Sequence, residues 1–153
     1  NDKCAAGTGA FITEIAEPVS NIDTFASVLG MLGVSIPGGV KQEGMDFSPL
    51  LRGQKGKWRD TIFGQYDLHN GGQANMRMVR TSEWKLVRHH FTNQLDELYD
   101  LESDPEEITN LYNRPEHRAV RKQLEAKLAE WQRSIGDPIL SAESTPSKHG
   151  SRR

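Results

Sequence analysis

The last third of the chain carries a long amphipathic pattern, which restricts the possible folds more than any other feature. In the segment EHRAVRKQLEAKLAEWQRSIGDP, apolar residues recur at three- and four-residue spacing: Val120, Leu124, Leu128, Trp131 and Ile135. Charged residues occupy the remaining faces, and Gly136 and Pro138 follow as helix terminators. Because a helix of this kind gains most of its stability from packing its apolar face, we expect it to lie on a second layer.

The middle of the chain supplies that layer. Four short stretches contain aromatic or β-branched residues: DTIFGQYDL, NMRMVRT, EWKLVRHHF and DELYDL. Hairpin turns are expected at residues 81–83 and 92–94. Strand alternation places Met76, Met78 and Arg80 on one face, with Arg77 and Val79 on the other. We predict an α+β fold, in which a long C-terminal helix packs on an antiparallel sheet of about four strands and a shorter helix precedes them.

The shorter helix is expected within PVSNIDTFASVLGMLGV. Ser20 and Asp23 resemble a capping box, and Gly33 suits the C′ position. Apolar residues recur on one side of this helix at helical spacing: Ile22, Phe25, Leu29 and Leu32. The segment that follows, residues 35–57, is rich in Gly and polar residues and is expected to be a surface connection with one helical turn at FSPLL.

Charge and composition exclude several classes of function. The 19 basic and 21 acidic residues leave a net charge of −2, so no bulk field favours nucleic acid or an anionic membrane. No apolar run is long enough to cross a bilayer. The single cysteine, Cys4, rules out an internal disulfide framework and any metal site that needs several cysteines from this chain. We therefore expect no nucleic-acid partner and no membrane span.

Two groups of side chains could ligate a metal ion, and we favour a structural role for both. The carboxylates of ELYDLESDPEEITNL lack the alternating oxygen ligands of a Ca²⁺ loop, and Asp104 with Pro105 suits the start of a helical turn. The histidines lack the helical spacing of a zinc site. We predict no metal site and no cofactor in this chain. The carboxylates concerned are Glu97, Asp100, Asp104, Glu106 and Glu107.

The candidate binding residues lie in YDLHNGGQAN, which joins two predicted strands. His69 and Asn70 could donate hydrogen bonds to a polar ligand, although a surface histidine without a role is the simpler alternative. Four cations repeat along the next two strands and could form one face that binds sulfate, phosphate or carboxylate. The alternative is a solvated sheet face. These cations are Arg77, Arg80, Lys85 and Arg88.

Residues Met76 to Val87 and Glu97 to Leu111 resemble the C-terminal subdomain of the sulfatase family, within the alkaline-phosphatase-like superfamily. The specific signal is the motif ELYDL-x-x-DP-x-E-x-x-NL. GMDFSPLLRG, from Gly44 to Gly53, is similar to the segment that links the catalytic domain to this subdomain. The resemblance covers about residues 18–140. One conservative departure is Ala26-Ser27, where the family more often has Pro-Thr.

The resemblance implies hydrolysis of aryl or carbohydrate sulfate esters by a longer enzyme. In that family a formylglycine, made from Cys or Ser in a C/S-x-P-x-R motif, attacks sulfur, and Ca²⁺ polarises the sulfate. Cys4 is followed by Ala5-Ala6-Gly7-Thr8, so this chain lacks the motif, and no catalytic residue is assigned to it. Formylglycine and Ca²⁺ are expected in the full-length family enzyme, and this chain is expected to be inactive alone.

The same resemblance implies the partners. The missing N-terminal catalytic domain is the expected protein partner, contacted through Phe25, Leu29 and part of the sheet. A sulfated small molecule or carbohydrate is the expected substrate of the full-length enzyme, with His69 and Asn70 at the rim of its pocket. The family also implies an extracytoplasmic location, periplasmic or secreted.

The first 17 residues resemble a different family. NDKCAAGTGAFITEIAE is similar to a signature of the ATPase activators of 2-hydroxyacyl-CoA dehydratases and benzoyl-CoA reductases, in which the cysteine ligates a shared [4Fe–4S] cluster. A cluster shared by two chains needs two cysteines from each, and this chain has one. Gly7-Thr8-Gly9 also lacks the remainder of a dinucleotide or P-loop motif. We interpret residues 1–17 as a leader of different origin, joined by a fusion or a mis-assembled reading frame, or as a frayed segment, with chance similarity as the alternative.

Three functional hypotheses follow. The favoured one is the C-terminal part of a sulfatase-like hydrolase, formed by residues 18–140 and followed by a disordered tail at residues 141–153. The second is an iron–sulfur ATPase activator. The third is a non-catalytic interaction domain.

Overall fold

The computed structural model describes residues 15–54, 56–69 and 72–141, without the side chains of His69 and Gln73. The chain divides between Asp60 and Thr61 into two compact units. The first unit contains helix α1 (Asp23–Leu32) and the single turn α2 (Ser48–Leu51), which is the turn predicted at FSPLL.

The second unit is an antiparallel sheet followed by a long helix. The strands are β1 (Ile62–His69), β2 (Gly72–Arg80), β3 (Trp84–His89) and β4 (Glu97–Asp100), in the spatial order β1-β2-β3-β4. Helix α3 (Arg118–Ile135) lies between two 3₁₀ turns, Pro115–His117 and Pro138–Leu140. The predicted α+β class is confirmed, with its four antiparallel strands, its long C-terminal helix and its shorter helix.

The core of the second unit lies between the sheet and α3. Register places Val79 of β2 opposite Leu86 of β3, and Leu86 opposite Leu98 of β4. These three side chains are fully buried and pack with Leu124 and Leu128 from α3. Helix α3 then ends at Gly136, whose φ of 65° is the left-handed conformation that glycine adopts without a Cβ clash. The predicted terminator is therefore confirmed. The stripe is confirmed for Val120, Leu124, Leu128 and Trp131, whereas Ile135 is exposed.

Helix α1 shows an inversion of the usual burial pattern, because it buries its polar side and exposes its apolar side. Its buried residues are Asp23, Ala26 and Ser27, whereas its large apolar side chains are exposed or partly exposed. Half of the predicted capping box is present, because Asp23 Oδ2 accepts from Ser20 N at 2.7 Å. The side-chain capping role of Ser20 is wrong, because the N-cap residue is Ile22 and the Ser20 hydroxyl donates to the neighbouring Asn21. The predicted Gly33 terminator is confirmed, with a left-handed φ of 68°.

Polar contacts explain the inversion. The Asp23 carboxylate is fully buried and accepts hydrogen bonds from Met45 N at 2.7 Å and from Arg59 Nη2 at 2.6 Å. Ser27 Oγ donates to Asp23 O and accepts from Phe47 N at 2.9 Å. Since buried polar groups must find partners, these bonds turn the Asp23 side of the helix inward.

Candidate functional site

Strands β1 and β2 extend past the rest of the sheet. Met76 pairs with His89, the last residue of β3, whereas Gln73 and Gly72 pair with Leu68 and His69 of β1. We call residues 67–69 and 72–75 the distal hairpin. The predicted binding residue His69 lies at the end of β1 in this hairpin, and Asn70 lies outside the described residues. Their proposed role in binding stays a prediction.

A β-bulge sits at the base of the distal hairpin. Between the pairs Tyr66–Met76 and Leu68–Gln73, β1 contains only Asp67, whereas β2 contains two residues. One of these is Asn75, whose φ of 48° is a left-handed value that asparagine tolerates better than most side chains. A bulge bends its strand and locally disrupts the ladder, so backbone pairing holds the hairpin less firmly at this point.

A buried arginine joins the bulge to the end of α3. The Arg77 side chain is only 1% exposed. Its Nε and Nη2 donate to the two carboxylate oxygens of Asp137 at 2.6 and 2.9 Å, and its Nη1 donates to Asp67 and to Met76 O. Gln132 of α3 adds a bond of 3.0 Å to Asp137. We call Arg77, Asp67 and Asp137 the Arg77 clamp.

The charges of the Arg77 clamp are held firmly in place. Hydrogen bonds from Arg77, followed by those from Gln132 and Ile139 N, hold the pKa of Asp137 well below its ordinary value, against the opposing effect of burial. The bonds to Asp137 in turn raise the pKa of Arg77 despite its burial. Both groups are therefore ionised at neutral pH, and Arg77 is already committed to protein acceptors.

The four predicted cations do not form one face. Register places Arg77 opposite Arg88 on the side of the sheet that faces α3, and Arg80 opposite Lys85 on the other side. Arg88 Nε lies 2.7 Å from Asp96 Oδ2, and Lys85 forms an ion pair with Glu107. The hypothesis of a single anion-binding face is therefore wrong, because strand alternation separates the cations and nearby carboxylates pair with them.

The side of the sheet away from α3 carries a compact polar group. His89 Nε2 lies 2.7 Å from Glu97 Oε1, and Tyr99 donates to Glu97 Oε2 at 2.7 Å. Burial, followed by this bond, raises the pKa of Tyr99 to about 12. Burial would raise the pKa of Glu97, but the bonds from His89 and Tyr99 outweigh it and lower that pKa. Both oxygens of the Glu97 carboxylate are therefore engaged within the group, whereas His89 Nδ1 is buried without a hydrogen-bond partner among the described residues.

The acidic segment after β4 also has a structural role. The Asp104 carboxylate accepts from Ile108 N at 3.1 Å and from Thr109 N at 2.8 Å, and Asp100 accepts from Glu102 N and Ser103 N. These bonds stabilise turns rather than a helical start. Across residues 15–54, 56–69 and 72–141, no group of three or more His, Cys, Asp or Glu side chains is arranged to hold a metal ion.

The sequence matches a known family along most of its length. Residues 9–134 match the family described as N-sulphoglucosamine sulphohydrolase, C-terminal. The chain belongs to this C-terminal sulfatase family. The resemblance drawn from ELYDLESDPEEITNL is thereby confirmed. The match begins inside the segment 1–17, whose separate origin stays a prediction.

Individual relatives agree with this assignment. The chain is 29% identical over 141 residues to an N-acetylglucosamine-6-O-sulfatase of Bacteroides thetaiotaomicron, covering 87% of this chain and 24% of that protein. It matches the structure of a 2-O GAG sulfatase with a TM-score of 0.68 at 24% identity, covering 79% of this chain and 26% of that one, which shows a shared fold. It matches the phosphonate monoester hydrolase of Agrobacterium radiobacter with a TM-score of 0.60 at 27% identity, covering 86% and 28%.

The chain thus spans about a quarter of the length of these relatives and corresponds to their C-terminal sulfatase subdomain. The family match gives no support to the alternative of an iron–sulfur ATPase activator. Among the helices of the described residues, none combines the length and hydropathy needed to cross a bilayer.

Sequence reasoning missed the Arg77 clamp. Alternation placed Arg77 beside Val79 on one face of β2, and an arginine on a face that buries valine is a signal for a buried ion pair. Its partner Asp137 follows Gly136 directly, and the sequence pattern marks that glycine only as a helix terminator. Each partner thus carries a local signal in the sequence, but Arg77 and Asp137 are 60 residues apart, so neither signal identifies the other residue.

Proposed function

We propose that this chain is the C-terminal subdomain of a sulfatase-like hydrolase that works with a catalytic domain. The family match and the coverage of about a quarter of each relative support the proposal. The sequence contains no C/S-x-P-x-R motif, so the formylglycine and the Ca²⁺ site would belong to the catalytic domain. This chain would contribute binding surface and no nucleophile.

The observation that carries the proposal of a partner is the exposed apolar face of α1. At 100° per residue, its large apolar side chains other than Met31 fall within one arc, opposite the arc that contains Asp23 and Ser27. Leu32 is 70% exposed and Phe25 is half-exposed. A contiguous apolar patch of this kind is typical of a surface that packs against another protein surface. The residues of this α1 apolar face are Ile22, Phe25, Val28, Leu29 and Leu32.

The catalytic domain is the occupant that fits this face. The relatives contain about three times as much additional chain as this segment supplies, and the family match is to their C-terminal part. Docking would remove several large side chains from water, at about 25 cal/mol per Å² of apolar surface. Independently of this face, His69 at the end of β1, with Asn70 next to it in the sequence, would form part of the rim of the substrate pocket.

The substrate class proposed is a carbohydrate sulfate ester. One relative is an N-acetylglucosamine-6-O-sulfatase, which is 29% identical to this chain in an alignment that covers 87% of it. An aryl sulfate is the wider alternative that the family resemblance implies. The enzyme would act outside the cytoplasm, as the family resemblance also implies.

A second candidate is hydrolysis of a phosphonate monoester. The likeness to the phosphonate monoester hydrolase favours it, with 27% identity over 86% of this chain. Sulfate and phosphonate esters both present tetrahedral anionic oxygens to the same kinds of donors. The residues that choose between them would lie in the catalytic domain.

Reconstitution tests the proposal. The chain is mixed with a separately expressed catalytic domain from the same genome, chosen because it carries C/S-x-P-x-R and matches the remainder of the relatives. Turnover of N-acetylglucosamine-6-sulfate, an aryl sulfate and an aryl phosphonate ester is then measured. We expect no turnover by the chain alone, and sulfate ester hydrolysis that rises when the two parts are combined.

Three results decide between the hypotheses. Hydrolysis of the phosphonate ester but not of either sulfate ester favours the second candidate. Turnover by the purified chain alone that survives Cys4→Ala contradicts the assignment of catalysis to another domain. An iron chromophore together with ATP turnover would favour the ATPase activator.

A further inference from the structure

We propose that Arg77 is a positioning residue, which together with Asp67 and Asp137 fixes the direction in which the distal hairpin leaves the sheet. Its effect on catalysis, through the rim of the substrate pocket, rests on the proposed function. Its effect on the hairpin itself follows from the geometry of the clamp.

The clamp spans the bulge. Asp67 is the single β1 residue that lies opposite two residues of β2, and Arg77 follows one of these, Asn75, by two positions. Arg77 Nη1 donates both to Asp67 and to the carbonyl of Met76. The interrupted backbone ladder specifies the direction of the hairpin only loosely. One guanidinium ties the two strands together at this point.

The other end of the clamp is anchored to α3. Asp137 follows the Gly136 terminator, and its carboxylate receives both Arg77 bonds in the fork geometry that fixes orientation as well as distance. Gln132 and Ile139 N hold the same carboxylate from the helix and from the 3₁₀ turn. The clamp thus fixes the direction of the hairpin relative to α3, the helix that packs on the sheet.

Stability alone gives a weak reason for this arrangement. Desolvating two charges offsets most of the attraction between them, so well-packed apolar residues in place of both Arg77 and Asp137 would stabilise the unit at least as well. An apolar contact has no preferred direction, whereas a planar guanidinium with acceptors on two sides has one. Asp67 is 45% exposed, so the hairpin end of the clamp lies near the surface, where a rim would be.

Distances between spin labels test the positioning. In a Cys4→Ser background, nitroxides are attached at Leu68→Cys in the distal hairpin and at Lys122→Cys on α3, two exposed positions. Double electron–electron resonance then gives the distribution of the distance between them. We expect a narrow distribution for the parent and one about twofold wider for Asp67→Asn and for Arg77→Lys, since lysine lacks the planar fork.

A matched control distinguishes loss of hairpin positioning from a general loosening of the second unit. Glu125→Gln makes the same change from acid to amide within an ion pair of α3, with Arg88 and Arg121, away from the bulge. It should leave the distribution unchanged. Circular dichroism melts establish that each variant is folded, and Asp67→Asn, at a partly exposed site, remains informative if Arg77→Lys does not fold.

Kinetics of the reconstituted enzyme test whether the direction of the distal hairpin affects substrate binding at the rim of the pocket. Asp67→Asn should raise KM for the sulfate ester by about tenfold with little change in kcat, as expected when substrate is held less well. An unchanged distance distribution overturns the positioning role, and a broadened distribution with unchanged KM overturns the link to the rim. If the wild-type chain fails to reconstitute activity, the proposed function is contradicted, and the distance distributions still decide the role of the clamp.

Discussion

Arg77 and Asp137 lie 60 residues apart in the sequence and meet through two hydrogen bonds, Nε to Oδ2 at 2.6 Å and Nη2 to Oδ1 at 2.9 Å. Neither side chain is more than 1% exposed. Each group has lost its hydration shell and depends on the other for compensation, so removing either one leaves an unpaired buried charge.

Asp137→Asn should therefore destabilise the second unit by roughly 3–5 kcal/mol at neutral pH. The pKa of Asp137 is lowered in the folded state, so its stabilising contribution is complete above its ordinary pKa of 3.8 and is lost as the pH falls toward the folded value. Urea unfolding between about pH 7 and pH 2 measures both effects. The wild-type chain should lose more stability than the variant below about pH 4, and parallel profiles would argue against the pair.

A second titration is expected at milder acidity. Burial, followed by the charges of Arg88 and Arg77, lowers the pKa of His90, against the opposing effect of Asp96 and Asp137. The protonated form is thus disfavoured in the fold, and stability that is complete above the ordinary pKa of 6.5 is lost as the pH falls below it.

His90→Gln should flatten the stability profile between about pH 7 and pH 5, where one proton can contribute at most about 1.4 kcal/mol per pH unit. NMR titration of the His90 ring measures the pKa directly. A ring that titrates at or above 6.5 would contradict this account.

Leu98 tests the core. It is fully buried among Val79, Leu86 and the leucines of α3, so Leu98→Ala should cost about 2–5 kcal/mol through lost transfer energy and a residual cavity. Leu95→Ala removes the same atoms from a side chain that is 70% exposed and should change stability by less than about 0.5 kcal/mol. Similar midpoints for both variants in urea would show that Leu98 is not part of a packed core.

Gly44 tests the first unit. A Cβ at this position would lie 2.1 Å from the carbonyl oxygen of Ile22, at the start of α1. Gly44→Ala should therefore displace the segment that donates Met45 N to Asp23 and disrupt α1. Gly38→Ala is the control, because a Cβ there meets nothing within 4 Å. Helical circular dichroism distinguishes them, and equal spectra would contradict the close approach.

The sequence predicted the elements of this fold better than their environments. The stripe on α3 and the alternation in β2 and β3 are local patterns, and the observed helix and strands follow them. The burial of Asp23 depends on partners at Met45 and Arg59, so no pattern within α1 could show which of its faces turns inward. The Arg77 clamp was missed for the same reason, since its members come from distant parts of the chain.

The predicted binding residues lie where the strand pattern specifies the structure least. His69 belongs by sequence to a glycine-containing connection between strands, and the structure places it at the end of β1 in the distal hairpin. The register of that hairpin depends on a bulge and a positive φ at Asn75, and alternation alone does not reveal a bulge.

The affinity of this chain for the cognate catalytic domain tests the central claim most directly. Leu32 on the α1 apolar face and Leu95 before β4 are both 70% exposed, so Leu32→Asp and Leu95→Asp form a matched pair. In isothermal titration calorimetry, we predict a 1:1 complex that Leu32→Asp weakens by at least about tenfold and that Leu95→Asp leaves unchanged. No binding by the wild-type chain, or equal binding by both variants, would contradict the account.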